Sequence, residues 1–136
     1  MAEKAFKLEI VTPRKVVFSG DVVSFSAPGV IGGFQVLYNH APMLAAIGVG
    51  EAKLRDPEGR EVHYATSGGF VDVCNNHVTV LAETAERADE IDVSRAEAAK
   101  TRAVERLENR TPKIDFERAK AALGRAANRL RIARQG

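Results

Sequence analysis

Near Asp89 the apolar residues of this chain stop recurring at every second position and begin recurring at every third or fourth. Side chains alternate across a strand and wind around a helix at about 3.6 per turn, so a change of period is a change of secondary structure. The chain must therefore fold as a β unit followed by an α unit. Before the change, "FKLEIVT" sets Phe6, Leu8 and Ile10 against Lys7 and Glu9, as a half-buried strand does. The runs "KVVF", "VVSFSA", "FQVL", "AKLR", "EVHYAT", "GFVDV" and "HVTVLA" follow. Turn chemistry separates them. In "DPEG" (56–59) Pro57 presets φ and Gly59 supplies left-handed geometry, and "NN" (75–76) is a two-residue hairpin turn between Cys74 and His77. Short strands at this spacing predict an antiparallel β-sandwich over residues 1–86.

Residues 87–136 predict an antiparallel two-helix hairpin, and they write one sentence twice. "IDVSRAEAAKTRAVERL" begins at Ile91 and "IDFERAKAALGRAANRL" at Ile114, with ten of 17 positions identical. Asp92 and Asp115 stand where a helix cap accepts from free backbone N–H groups. The expected apolar stripes are Val93, Ala96, Ala99, Ala103, Val104 and Leu107, then Phe116, Ala119, Leu123, Ala126, Ala127 and Leu130. "NRTP" (109–112) breaks the helix between them, because Pro112 cannot continue it.

Each stripe is bordered by arginine. At about 100° per residue, Arg95, Arg102 and Arg106 fall within about 40° of one another, as do Arg118, Arg125 and Arg129. Such a row is either a solvated basic edge or, once the hairpin folds, one wall of an anion site, for which guanidinium forks suit phosphate oxygens. The stripes are mostly alanine, so the hairpin packs weakly on itself and a bound anion could decide whether it stays closed. Charge follows the same division. Residues 1–88 carry 8 Lys/Arg against 10 Asp/Glu, and residues 89–136 carry 12 against 8. The basic third should meet an acidic partner or an anion.

Other chemistries find little support. His40, His63 and His77 are too scattered for a metal motif, and no metal ligand set is read here. Ser67-Gly68-Gly69 leads into a strand and not a helix, so it is read as strand and not as a phosphate loop. The lone Cys74 is read as a small buried hydrophobe in a reducing compartment. No apolar run approaches the roughly 20 residues of a membrane span, and "MAEKAFKLEI" does not read as a secretory signal, so the expected location is cytoplasmic. A nucleic-acid-binding module is disfavoured by the eight acids of residues 89–136, with only two Tyr and no Trp for stacking. A free-standing nucleotide sensor stays open on the hairpin alone.

In order along the chain stand "TPRKVVFSGDVVSFSAPG", "GGFQVLYNHAPMLAAIGVGEAKL", "SGGFVDV", "NNHVTVLAETAERADEID", "IDVSRAEAAKTRA" and "RAANRLR". Together they resemble the epsilon subunit of bacterial F-type ATP synthase over nearly the whole chain. The resemblance implies a non-catalytic central-stalk subunit, peripheral on the cytoplasmic face of the membrane without inserting into it. It would bind the gamma subunit and the c-subunit ring and couple rotation to ATP synthesis. The family's hairpin, when extended, reaches the alpha and beta subunits and restrains ATP hydrolysis; in some members the folded hairpin binds ATP. No cofactor is required, and ATP would be a regulatory ligand. The matching positions here are Glu86, Ile91, Asp92 and Ala96 for base and ribose, with Arg95, Arg102, Arg125 and Arg129 supplying the arginines for phosphate. Partner contacts are implied at His40, Ala41 and Pro42, and at Arg106, Arg118, Arg131 and Arg134. The corner differs from the family's common Leu-Pro-Gly-His-Ala-Pro: this chain has Tyr38 and Asn39 in place of Pro-Gly.

Overall fold

The structure, a computed structural model, describes residues 3–109 and 116–135. Eight strands come first: β1 (Phe6–Val11), β2 (Val16–Val22), β3 (Ser24–Ala27), β4 (Phe34–Val36), β5 (Met43–Arg55), β6 (Glu61–Cys74), β7 (His77–Ala82) and β8 (Ala85–Arg87). A 3₁₀ turn (Ala88–Glu90) leads to α1 (Val93–Glu108) and then α2 (Phe116–Gln135). The strands bond in the order β2-β1-β7-β6-β5-β3-β4, with β8 added to β6. Pairing is antiparallel except between β1 and β7, which run parallel. The expected sandwich followed by two helices is the architecture found.

Alternation places the core as expected. Phe6, Leu8 and Ile10 are at most 3% exposed, and they pack with Val22, Phe25, Leu54, Val71, Val73, Val78 and Val80. The same alternation corrects the reading of Cys74. Val71 and Val73 point inward, so Asp72 and Cys74 point outward, and Cys74 is exposed at the end of β6. Tyr64 lies in this core, and its burial pushes the phenol above its ordinary value of 10.0 although Arg87 pulls the other way.

Both turns take the expected form. Gly59 has φ +87°, and Asn75 and Asn76 have φ +51° and +59°, the left-handed pair of a type I′ hairpin. Asp56 accepts from the backbone N–H of Glu58 and of Arg60 and from Arg60 Nε. Desolvation, the largest single influence, would raise its carboxyl, but these bonds and the Arg60 charge together outweigh it and hold the group below 3.8.

Two long strands join what the alternation divides. "EVHYAT" and "GFVDV" are one strand, β6, which pairs with β8 over residues 64–66 and with β7 over residues 69–74. At the change of partner, Gly68 and Gly69 have φ +138° and +136°. A Cβ on Gly69 would stand 2.0 Å from the Leu81 carbonyl oxygen, so only glycine fits.

In the hairpin, Asp92 caps α1, its Oδ1 accepting from Arg95 N–H at 3.1 Å. Asp115 and Pro112 lie outside the described residues. The seam between the helices buries Ala96, Ala103, Ala119, Ala126 and Leu130, while Val93 and Phe116, each the first residue of its helix, are 39% exposed. α2 has a second buried face that the stripe did not contain. Ile132 is fully buried against Ala65, Ala88 and Ile91, with Asn128 buried one turn earlier. Through this face α2 docks on β5, β6 and the 3₁₀ turn. No helix among the described residues is long and apolar enough to cross a membrane.

Candidate functional site

The docked face of α2 does not close fully on the sandwich. It leaves a cleft of about 350 Å³ between Arg125, Asn128 and Arg129 on α2, Thr66 and Ser67 on β6, and the segment Glu83–Glu86. Helical spacing puts Arg125, Asn128, Arg129 and Ile132 on one side of α2, at steps of three, one and three. The anchoring of Ile132 therefore aims the two arginines at the sandwich.

Glu86 meets Arg129 across the cleft. Arg129 Nη2 donates to Glu86 Oε2 at 3.0 Å, and Arg129 Nε stands 2.7 Å from Glu86 Oε1. The pair is half-buried and remains reachable by solvent. Asn128 lies at the bottom of the seam. Its Nδ2 donates to the Gly50 carbonyl at 2.9 Å, and its Oδ1 accepts from Arg131 Nη2 at 2.8 Å. The hydroxyls of Ser67 and Thr84 bond to each other at 2.5 Å along one wall. Arg125 is exposed at the mouth and carries no ion pair among the described residues. The site thus offers one engaged guanidinium, one unengaged guanidinium, the carboxylates of Glu83 and Glu86 and a row of hydroxyl and amide groups; Arg125 is the group in it that suits a phosphate oxygen.

Of the residues expected to hold nucleotide, Glu86, Arg125 and Arg129 come together here. Ile91 sits behind them in the small apolar cluster with Ile132, and Ala96 is buried in the helix seam. Asp92, Arg95 and Arg102 are exposed on α1, outside the lining of this cleft. The two arginine rows therefore do not share one wall: of the α2 row, Arg125 and Arg129 face the sandwich. Among the expected partner contacts, Ala41 and Pro42 are exposed and His40 is half-exposed, with its Nδ1 2.7 Å from the Ala41 carbonyl oxygen. Arg106, Arg118, Arg131 and Arg134 are exposed on the helices, and Arg134 reaches across to Glu97 at 3.1 Å. Thr66, Thr84 and Asn128 were not singled out from the sequence, and Ser67 was read there only as part of a strand. Asn128 carried a signal of its own, a neutral amide where the first copy of the repeat has Glu105. Among the described residues no three His, Cys, Asp or Glu side chains gather as a metal site would require.

The chain matches known families along its length. Residues 5–88 match the model described as ATP synthase, Delta/Epsilon chain, beta-sandwich domain, and residues 89–134 match its long alpha-helix domain. An ATP synthase epsilon chain of Pelotomaculum thermopropionicum is 50% identical over 111 residues, 82% of each chain. One of Syntrophomonas wolfei is 45% identical over 111 residues, covering 82% of this chain and 81% of the relative. The fold is also that of a chain in the Euglena gracilis mitochondrial ATP synthase, with TM-score 0.80 and 18% identity over 91% of this chain and 78% of that one. A sandwich, a docked helical hairpin and both halves of the family pattern coincide in one chain. It belongs to the ATP synthase delta/epsilon chain family, as an epsilon subunit and a non-catalytic part of the synthase.

Proposed function

We propose that this epsilon subunit rides on the central stalk, its sandwich docked on the gamma subunit and the c-subunit ring, and that its hairpin is a mobile arm which restrains ATP hydrolysis. The subunit would sit peripherally on the cytoplasmic face of the membrane and help couple rotation to ATP synthesis. Support for docking comes from the outer strand face. Phe70 and Leu81 are cross-strand neighbours, 54% and 56% exposed, and Leu44 on the adjoining strand is 72% exposed. An apolar row of this kind on a small protein marks a surface that a partner covers.

The hairpin reading rests on how little holds α2 down. Its docked face offers Ile132, Asn128, a half-buried Ala133 and the Glu86–Arg129 pair. Release would free a basic arm; α2 alone spans about 30 Å at 1.5 Å per residue. In that extended state the arginines meet the alpha and beta subunits and slow hydrolysis. ATP bound in the cleft holds the arm down, with Arg125 and Arg129 on the phosphates; Arg95 and Arg102, outside the cleft lining, take no part in this docked form. Glu86 lies beside the base and ribose; of the other positions the resemblance implied, Ile91 backs the cleft, and Asp92 and Ala96 lie outside its lining.

The observation that carries this reading is a cleft of about 350 Å³ at the docking seam itself, walled by Glu86, Arg125 and Arg129. A ligand there touches both parts at once and so stabilises the docked state by mass action. Calorimetric titration of the isolated protein with ATP, with and without Mg²⁺, tests it. The expected result is saturable binding that Arg125→Ala loses. No heat at millimolar ATP removes the ligand from the account.

A further inference from the structure

The corner between β4 and β5 is a tight turn with an unusual residue at its demanding position. His40 N–H donates to the Leu37 carbonyl at 3.2 Å, and of the two central residues Asn39 alone has positive φ, at +64°. A turn with left-handed geometry only at its third residue follows the type II pattern, where glycine is the ordinary choice. Asparagine tolerates that conformation better than other side-chain-bearing residues, and here its side chain is used. Asn39 N–H donates to Asn76 Oδ1 at 2.6 Å, and Asn76 Nδ2 donates back to Asn39 Oδ1 at 3.0 Å. The backbone of Asn76, in the β6–β7 turn, also accepts from Lys7 N–H at 3.0 Å at the start of β1. Asn76 thus ties together three segments at one end of the sandwich. The corner presents apolar side chains to solvent there, with Leu37 48% and Tyr38 37% exposed before the exposed Ala41 and Pro42.

We infer that Asn39 and Asn76 form a positioning clamp that holds the Leu37–Pro42 corner in its docking shape. Binding a preformed loop avoids the cost of ordering it on contact. A glycine at position 39 would keep the turn but lose the side-chain half of the clamp. The inference rests on the reading of this corner as the contact with the c-subunit ring.

Two measurements on full-length protein separate the clamp from that reading. Amide exchange at Asn39, in the isolated subunit, should speed up about tenfold in Asn76→Gly, the scale of one lost hydrogen bond. Asn76→Asp, which keeps the acceptor, should retain most of the protection. Adding Asn39→Gly to Asn76→Gly should change little more, because the two act as a pair. Binding to the solubilised c-subunit ring should weaken several-fold in Asn39→Gly and in Asn76→Gly at unchanged melting temperature. Unaltered exchange at Asn39 in Asn76→Gly overturns the clamp. Altered exchange with ring binding unchanged overturns its positioning role. If the unmutated subunit does not bind the ring, the partner assignment fails, the positioning role falls with it, and exchange alone judges the clamp.

Discussion

Asn128 shows how one polar residue can decide where a helix docks. It is 8% exposed at the floor of the cleft, and both ends of its amide are engaged, by Gly50 and by Arg131. A buried amide is tolerable only where those bonds are made, so it favours one register of α2 on the sandwich over all slipped ones. Leucine or alanine would permit several. Asn128→Ala should cost about 1–3 kcal/mol of docking stability, read as faster amide exchange confined to α1 and α2 while the strands keep their protection. Uniform loss across the sandwich would show that Asn128 supports the whole fold and not the dock alone. Gly50 is constrained in the same seam, since a Cβ there would lie 2.5 Å from Pro28 Cβ.

At the scale of elements, α2 carries two buried faces and α1 one. The seam with α1 is alanine-rich, and the face toward the sandwich is short, so neither gives the hairpin much stability. Gly124 weakens α2 further. A Cβ placed on it meets nothing within 4 Å, so no packing requires glycine in this conformation. Gly124→Ala should therefore stabilise the hairpin by about 1 kcal/mol, measured as a delayed loss of helical signal on heating. The first face was legible in the sequence because alanine and leucine recur at helical spacing. The second was not, because Asn128 and Ile132 give only two points of a stripe and one of them is polar. Similar physics governed the strands. "MLAAIGVG" opens β5 but lacks alternation and holds two glycines, so only its continuation "AKLR" read as strand. Cleft residues were missed for a different reason: Ser67 was read only as strand and Thr84 not at all, because their neighbourhood is made by a long strand changing partner, which no local pattern records.

The whole molecule is an acidic sandwich with a basic arm folded against it. Residues 1–88 carry two more acids than bases, and residues 89–136 carry four more bases than acids. Attraction between the parts helps the arm lie down, and Glu86–Arg129 is where that attraction becomes a specific contact. The same arm released toward an acidic partner would be held there by the same charges, so a small change at the dock can move it between two states. Glu86 is the informative residue, since it belongs to the sandwich and does not travel with the arm. Its removal weakens the latch and the proposed nucleotide site together, and both losses favour release. The decisive measurement is the ATP hydrolysis rate of the assembled synthase carrying Glu86→Ala, compared with the unmutated complex at the same ATP concentration. A rate several-fold lower is predicted, as a freed arm restrains the motor more of the time. An equal or higher rate would contradict the account, and the docked hairpin would then be a resting place with no control over the enzyme.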